Sequence, residues 1–222
     1  MFFLGLLSLI QAWFLPGFVA TSFLKRINIY DKIILAFPLS IIINYIAVFL
    51  LILLNSYNFF FVLLIIFFEL VVIFAIYKNM IKKINKFQFN IKINYKYYFI
   101  DIFLILIFLV YFFIGLSNIG EITHQGDPLV MWDLWAKSFA QNIIPNNTMD
   151  YPQAYPILMS ITYVLIGSLE IEFFSRTISL IYPIMIWVIM IRILVLFPKY
   201  NKEIKITLFF IAVLTLNQFR HT

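Results

Sequence analysis

The stretch FFFVLLIIFFELVVIFAIY, residues 59–77, contains a single charged side chain, that of Glu69. An α-helix rises about 1.5 Å per residue, so a run of this length covers roughly the 30 Å hydrocarbon layer of a membrane. A helix also gives every backbone amide inside lipid a partner within its own segment. The stretch therefore predicts a membrane-spanning helix, and its one acid is a costly residue that needs a partner from another helix.

The rest of the chain has the same character. Its 222 residues are 64% hydrophobic and 12% charged, with a mean hydropathy of +1.01, whereas globular domains carry roughly 25% charged residues. Alternating barrel-strand patterns are absent, so the sequence predicts an all-α, polytopic transmembrane helix bundle. Pro16 and Gly17 predict a kink in the first span. The other apolar runs are about 2–24, 33–54, 98–116, 155–169, 173–197 and 206–216.

Lysines and arginines orient these spans, because short cytoplasmic loops carry an excess of them. Lys25, Arg26 and Lys32 follow the first span, and the loop 78–96 carries six lysines and no acid. Both loops are predicted to be cytoplasmic, so the N-terminus starts outside and the span over 98–116 leads outward. The net charge of +6 is thus a topology signal near anionic lipid rather than a nucleic-acid site. The absence of cysteine excludes disulfides and thiolate metal sites.

The apolar run at 155–169 is too short to cross a membrane. Between Pro156 and Gly167 it holds about ten residues, and apolar segments of about 10–14 are typical of interfacial or re-entrant helices. If it did cross, the lysines within 199–205 would face outside, against the charge rule. We therefore predict a re-entrant helix that enters from the external side, followed by a span over 173–197 that leads inward. The chain then divides into 1–97, with three spans and the basic loop, and 98–222, with the outgoing span, an external acidic loop 117–154, the re-entrant helix and further spans.

Within that loop, the stretch EITHQGDPLVMWDLWAKSF, residues 121–139, gathers three carboxylates. Asp127 and Pro128 predict the start of a helix, since Asp accepts bonds from free amides at a helix start and Pro suits the first helical position. Asp133 and Lys137 are four residues apart in the favourable order for an ion pair. A purely structural role would be sufficient to explain these residues: Asp127 would cap the helix and Asp133 would pair with Lys137.

Three aromatic residues of the same helix, Trp132, Trp135 and Phe139, fall at helical spacing on one face. Tryptophans at headgroup depth with polar residues opposite are typical of a helix that lies on the membrane surface. The pattern therefore predicts a juxtamembrane surface helix with the tryptophans as its anchors.

Two short motifs in this region resemble the GT-C superfamily of integral-membrane glycosyltransferases, which use polyprenyl-phosphate sugars and include mannosyltransferase and aminoarabinose-transferase types. An acid followed by W-x-x-W-A-K, a loop, and Y-P-x-L leading into a short apolar helix is similar to their first external loop. The resemblance covers about residues 99–197. The matching positions are Asp127, Trp132 and Lys137 in the first motif and Tyr155, Pro156 and Leu158 in the second.

The resemblance implies a bacterial plasma-membrane enzyme whose catalytic loop is external. Asp127 holds the position of the catalytic acid, which would deprotonate an acceptor hydroxyl as it attacks the anomeric carbon. Glu121 is the second candidate, and the two acids could hold Mg2+ or Mn2+, which prefer hard oxygen ligands. Lys137 and Arg176 are candidates for the donor phosphate. The other substrate-binding candidates are His124, Trp132, Asp133 and Tyr155, of which Asp133 is the more structural because Lys137 is a ready partner.

The implied partners are a polyprenyl-phosphate-linked sugar, a glycan, lipid or protein acceptor, and membrane lipid. GT-C proteins usually run to several hundred residues, so we expect this chain to be an N-terminal portion. An alternative is a non-catalytic transporter or flippase component for lipid-linked sugars, which predicts paired polar residues inside the spans. In the sequence only Glu69 stands out there. An inactive structural subunit is a third hypothesis.

Overall fold

A computed structural model describes residues 1–24, 27–84, 113, 127–146, 152–196 and 207. All regular structure within these ranges is helical. The helices are α1 (Phe2–Trp13), α2 (Leu15–Ser22), α3 (Ile29–Leu53), α4 (Phe59–Ile84), α5 (Asp127–Ala140), α6 (Ala154–Ile166), α7 (Phe173–Thr177) and α8 (Ile181–Leu196), with a 3-10 turn (Ile178–Leu180) before α8. The helical fold class is thus confirmed. The predicted spans over 98–116 and 206–216 lie outside the described residues, apart from positions 113 and 207.

Two helices, α3 and α4, are long and apolar enough to cross a membrane, and α1 and α2 together would make a third span. The α1–α2 pair bends by 46° at the break between Trp13 and Leu15. Pro16 sits in the first turn of α2, where its missing N–H and fixed φ suit a helix start but not a helix interior. The predicted kink is therefore confirmed, and its cause is local.

The bent pair packs closely against α3. A Cβ atom added to Gly17 would lie 1.8 Å from the carbonyl oxygen of Ala36, so only glycine fits at this crossing. The backbone N–H of Gly17 donates to Ser40 Oγ at 2.9 Å. Small residues at such contacts let helix backbones approach and exchange hydrogen bonds, which is how helices associate where lipid surrounds them.

The short helix α6 is the centre of the described fold. Every residue from Pro156 to Ile166 is buried, and α6 contacts α1, α3, α4, α5 and α7. It ends at Gly167, whose φ of 74° places it in the left-handed region that favours glycine at a helix end. A mostly apolar helix that is buried on every side, as this one is, is stable only when other helices surround it.

The two ends of the bundle are defined by contacts between distant segments. At one end, Arg192 of α8 forms a two-pronged ion pair with Asp31 of α3, with N–O distances of 2.7 and 2.9 Å. At the other end, the side chain of Asn142, just after α5, exchanges two 2.9 Å hydrogen bonds with the backbone of Tyr57. The start of α3 and the end of α8 therefore share one end, while the α3–α4 turn and α5 share the other.

The predicted span over 173–197 is not one continuous α-helix. It consists of α7, the 3-10 turn and α8, and its apolar part is shorter than a spanning helix over the described residues. The hydroxyls of Thr177 and Ser179 donate to backbone carbonyls four and three residues earlier, and such bonds compete with the helical ladder.

Candidate functional site

The structure describes little of the two catalytic candidates, Asp127 and Glu121. Glu121 and His124 lie outside the described residues. The backbone of Asp127 begins α5, as predicted, but its side chain is not among those described. The substrate-binding candidates Trp132 and Asp133 follow on the same helix, in its described part.

Helix α5 turns its aromatic face toward the protein. Trp135 is 7% exposed and Phe139 2% exposed, and both belong to the core cluster that includes α6. Met131 and Leu134 of the same helix are exposed. The prediction that the tryptophans anchor the helix at headgroup depth is therefore wrong for Trp135. Helical spacing shows which residues share a face, but not what that face contacts.

Six side chains from α5, α6 and the α7 region form what we term the end cluster: Asp133, Lys137, Tyr163, Glu172, Ser175 and Arg176. Lys137 Nζ lies at its centre, 2.7 Å from Asp133 Oδ2 and 2.5 Å from Glu172 Oε1. The second oxygen of Glu172 accepts from Arg176. The predicted i,i+4 pair of Asp133 and Lys137 is thus confirmed, and Lys137 and Arg176, both candidates for phosphate, meet on one carboxylate.

Tyr163 and Ser175 extend the end cluster toward α6. The Tyr163 hydroxyl donates to Asp133 Oδ1, and Ser175 Oγ donates to the Tyr163 hydroxyl at 2.9 Å. Lys137 Nζ also lies 5.7 Å from the centroid of the Tyr163 ring, within range of a cation–π interaction. Tyr163 thereby ties the charges of α5 to the buried helix.

The end cluster is electrically neutral, with two carboxylates facing one ammonium and one guanidinium. Burial raises the pKa of Glu172, but the hydrogen bond and charge of Lys137 together with Arg176 outweigh burial and hold that pKa below its ordinary value. Burial lowers the pKa of Lys137, while its bonds to Asp133 and Glu172 raise it by more, so the net shift is upward. Both shifts favour the charged forms of Glu172 and Lys137.

An aromatic group lies beside the end cluster. The rings of Trp132 and Tyr155 meet edge to face with centroids 5.2 Å apart, and Tyr182 lies 6.4 Å beyond Tyr155. The indole N–H of Trp132 is buried and has no hydrogen-bond partner among the described residues. Trp132 and Tyr155, one from each motif singled out in the sequence, are thus in contact.

Sequence reasoning missed Glu172, Tyr163 and Ser175. Glu172 carried a weak signal, because it precedes Arg176 by four residues at a helix start. Tyr163 and Ser175 carried none, since a tyrosine and a serine in an apolar region are common. Their roles arise only when α6 packs between α5 and α7.

A second polar group, which we term the midspan cluster, consists of Gln11, Asn44 and Glu69. These side chains are 2%, 3% and 7% exposed and come from α1, α3 and α4. Gln11 Nε2 lies 3.2 Å from Asn44 Oδ1 and 3.5 Å from Glu69 Oε1. The expectation that Glu69 needs a partner from another helix is confirmed, and that partner is an amide rather than a cation.

No group of three or more His, Cys, Asp or Glu side chains that could hold a metal ion occurs within the described ranges. The Mg2+ or Mn2+ pair predicted from Asp127 and Glu121 falls on a side chain and a residue that are not described. Compared with known proteins, the chain matches no family model, no curated protein and no solved structure.

Proposed function

We propose that this chain is part of a GT-C-like membrane glycosyltransferase that moves a sugar from a polyprenyl-phosphate donor to an acceptor hydroxyl. The observation that carries the proposal is the contact between the two motifs on which the resemblance rests. Trp132 of the first motif packs edge to face against Tyr155 of the second. Asp133, next to Trp132, also accepts a hydrogen bond from Tyr163, toward the other end of α6. Because residues of the two short motifs are in contact although a loop separates them in the sequence, a joint role for the motifs is supported.

In the proposed reaction Asp127 acts as general base. Its carboxylate accepts the proton of the acceptor hydroxyl while the acceptor oxygen bonds to the anomeric carbon of the sugar. The bond between that carbon and the phosphate oxygen breaks, and polyprenyl phosphate leaves with the electron pair. Glu121 is the alternative base. A divalent cation held by these two acids would stabilise the leaving phosphate by its charge.

The end cluster is the proposed neighbour of the donor phosphate. Lys137 and Arg176 offer an ammonium and a guanidinium that share Glu172, so a phosphate can recruit either cation only in competition with that carboxylate. The side chains are roughly a quarter exposed, which leaves them reachable from the end of the bundle. The aromatic pair of Trp132 and Tyr155 adds apolar area beside the end cluster, which suits contact with a sugar ring or a prenyl chain.

The proposed orientation places α5 and the end cluster at the external face of a polytopic bundle in a bacterial plasma membrane. The start of α3 and the end of α8 share one end, and in the sequence the lysine-rich segments 78–96 and 199–205 overlap the end of α4 and follow α8. Excess lysine is typical of the cytoplasmic side. The same arrangement supports a re-entrant α6, because it lets α8 end on the lysine-rich side.

Single cysteines test this orientation, since the chain has none of its own. Cysteine at the exposed position 146 should react with a membrane-impermeant thiol reagent applied to intact cells, and cysteine at the exposed position 78 should react only after the membrane is opened. The reverse pattern would contradict the proposed external site.

Transfer itself is tested with Asp127→Asn in the complete reading frame, using membranes supplied with polyprenyl-phosphate hexoses labelled in the sugar. We expect sugar transfer to fall at least about a hundredfold, the usual contribution of a general base. Glu170→Gln is the matched control, because it also neutralises a carboxylate, here an exposed one after α6, and it should retain transfer. Equal transfer by Asp127→Asn and the parent would reassign the base, with Glu121→Gln as the next variant.

A transporter or flippase component for lipid-linked sugars is the second candidate, and the midspan cluster favours it. Transport pathways place polar side chains inside the membrane and interrupt their helices there, as α1 and α2 are interrupted next to Gln11. Movement of a fluorescent polyprenyl-phosphate sugar across reconstituted vesicles, without transfer to any acceptor, would support this candidate against the enzyme.

A further inference from the structure

The midspan cluster lies close to the midpoint of each candidate span. Glu69 is ten residues from Phe59 and nine from Lys78, the ends of the apolar part of α4. At 1.5 Å per residue it is about 15 Å from either end, which is the centre of a 30 Å hydrocarbon layer. Gln11 lies three residues before the break between α1 and α2. A carboxylate at this depth is among the costliest residues a membrane protein can hold.

The hydrogen bonds of Asn44 fix the orientation of both amides in the cluster. Its Nδ2 donates to the carbonyl oxygens of Gln11 and Ala12 at 2.9 and 3.3 Å, where α1 ends and its carbonyls lose their helical partners. Its Oδ1 must therefore face Gln11, and it accepts from Gln11 Nε2 at 3.2 Å. Because Nε2 is committed to Asn44 and Glu69, the oxygen of the Gln11 amide points elsewhere.

Two oxygens of the cluster are left without a donor. Gln11 Oε1 and Glu69 Oε2 are buried and have no hydrogen-bond partner among the described residues. Both residues line a cavity of about 60 Å3 between α1, α3 and α4, whose far wall is Ile161 of α6. That volume holds one small ion together with a water. Buried unsatisfied acceptors beside a cavity are uncommon and indicate a missing donor or cation.

We propose that this cavity binds a single monovalent cation of the size of Na+, with Glu69 and Gln11 as its oxygen ligands. The charge of the site selects a monovalent ion. Its lining includes one carboxylate and two neutral amides and no Lys, Arg or His. One positive charge makes the site neutral, whereas a divalent ion would leave a net charge in the middle of the membrane.

A proton is the competing monovalent species, and the geometry favours the larger ion. A proton on Glu69 would satisfy one carboxylate oxygen and leave Gln11 Oε1 and most of the cavity as they are. An ion with one water contacts both open oxygens at once. The site is independent of the proposed sugar transfer, which we assign to Asp127 and the end cluster.

The test is the thermal unfolding of the purified chain in detergent, with NaCl titrated against choline chloride at constant ionic strength. The Tm of the parent should rise with Na+ and saturate, as expected when an ion binds the folded state alone. Glu69→Gln should lose the Na+ dependence and should start from a higher Tm in choline chloride. Gln11→Leu, which keeps the carboxylate, should raise the Na+ midpoint by about tenfold, as expected for the loss of one charge-assisted contact.

Glu170→Gln, which neutralises an exposed carboxylate outside the cavity, should keep the full Na+ response. A parent Tm that does not change with Na+, or a Na+ response that survives in Glu69→Gln, overturns the proposal, and a Tm that depends on pH alone assigns the site to a proton. A second measurement needs no variant. Na+ should protect Glu69 of the parent from modification by a hydrophobic carbodiimide, read by mass spectrometry, and unchanged modification also overturns the proposal.

Discussion

The carboxylates of the end cluster and of the midspan cluster differ in their hydrogen-bond and ion-pair partners. At the end of the bundle Glu172 meets both a lysine and an arginine, and every charge has a counter-charge within 2.7 Å. In the middle of α4, Glu69 meets only an amide, 3.5 Å away, and one of its oxygens has no described partner. The first arrangement pairs every charge with another side chain, whereas the second leaves one oxygen of Glu69 without a donor among the described residues. The difference separates side chains that stabilise the fold from side chains that are suited to bind.

Removal of the central cation of the end cluster, Lys137, should have the largest effect on stability. Lys137→Met keeps much of the side-chain volume but leaves Asp133 and Glu172 facing each other. We expect the free energy of unfolding to fall by about 2 kcal/mol, since two partly buried carboxylates lose their shared partner. Denaturant unfolding followed by circular dichroism measures the loss. Lys78→Met, at an exposed lysine, is the matched control and should change it little. A similar loss in both variants would show that the end cluster does not stabilise the fold.

A pair of identical substitutions sharpens the comparison, because the two carboxylates should respond with opposite signs. Glu172→Gln removes a charge that is paired and should destabilise the fold by about 1 kcal/mol. Glu69→Gln removes a carboxylate that has no ion-pair partner among the described residues, and in sodium-free medium it should stabilise the fold by about 1 kcal/mol or more. The same unfolding measurement in choline chloride compares them. Two changes of the same sign would contradict the distinction between the clusters.

The smallest expected effect is the pH dependence of the end cluster. The pKa of Glu172 is lowered in the folded state, so its contribution is present above the ordinary carboxyl pKa of about 4.3 and is lost as the pH falls through the lowered value. The pKa of Lys137 is raised, so its contribution is present below about 10.4 and is lost as the pH rises through the raised value. Each loss should be a few tenths of a kcal/mol in these partly exposed side chains. In Glu172→Gln the acidic loss from this residue should be absent from the unfolding titration.

Local features of the fold could be predicted from the sequence. The spans of α3 and α4 follow from their unbroken apolar runs, the bend after α1 follows from Pro16, and the end of α6 follows from Gly167. Each of these depends on residues within a few positions of one another. Local sequence patterns determine them whatever the rest of the chain does.

The composition of both clusters could not be predicted in this way. Lys137 and Glu172 are 35 positions apart, and Gln11 and Asn44 are 33 apart. Neither pair has a spacing that points to a contact, because their meeting depends on how whole helices pack. The same holds for Trp135. Its spacing predicts that it shares a face with other aromatic residues, but not that this face packs against the core around α6.

The burial of α6 has a consequence for how the protein assembles. Its thirteen residues cover about 20 Å, too little to cross a bilayer alone. Four of the helices that it contacts, α1, α3, α4 and α5, precede it in the chain and leave the ribosome first, whereas α7 follows it. These helices can therefore form much of the packing site for α6 before α6 itself is complete. A larger side chain at Gly17 would push α2 away from α3 and disturb the helices against which α6 packs. A newly made α6 would then remain unpacked, and the chain would be exposed to quality-control proteolysis.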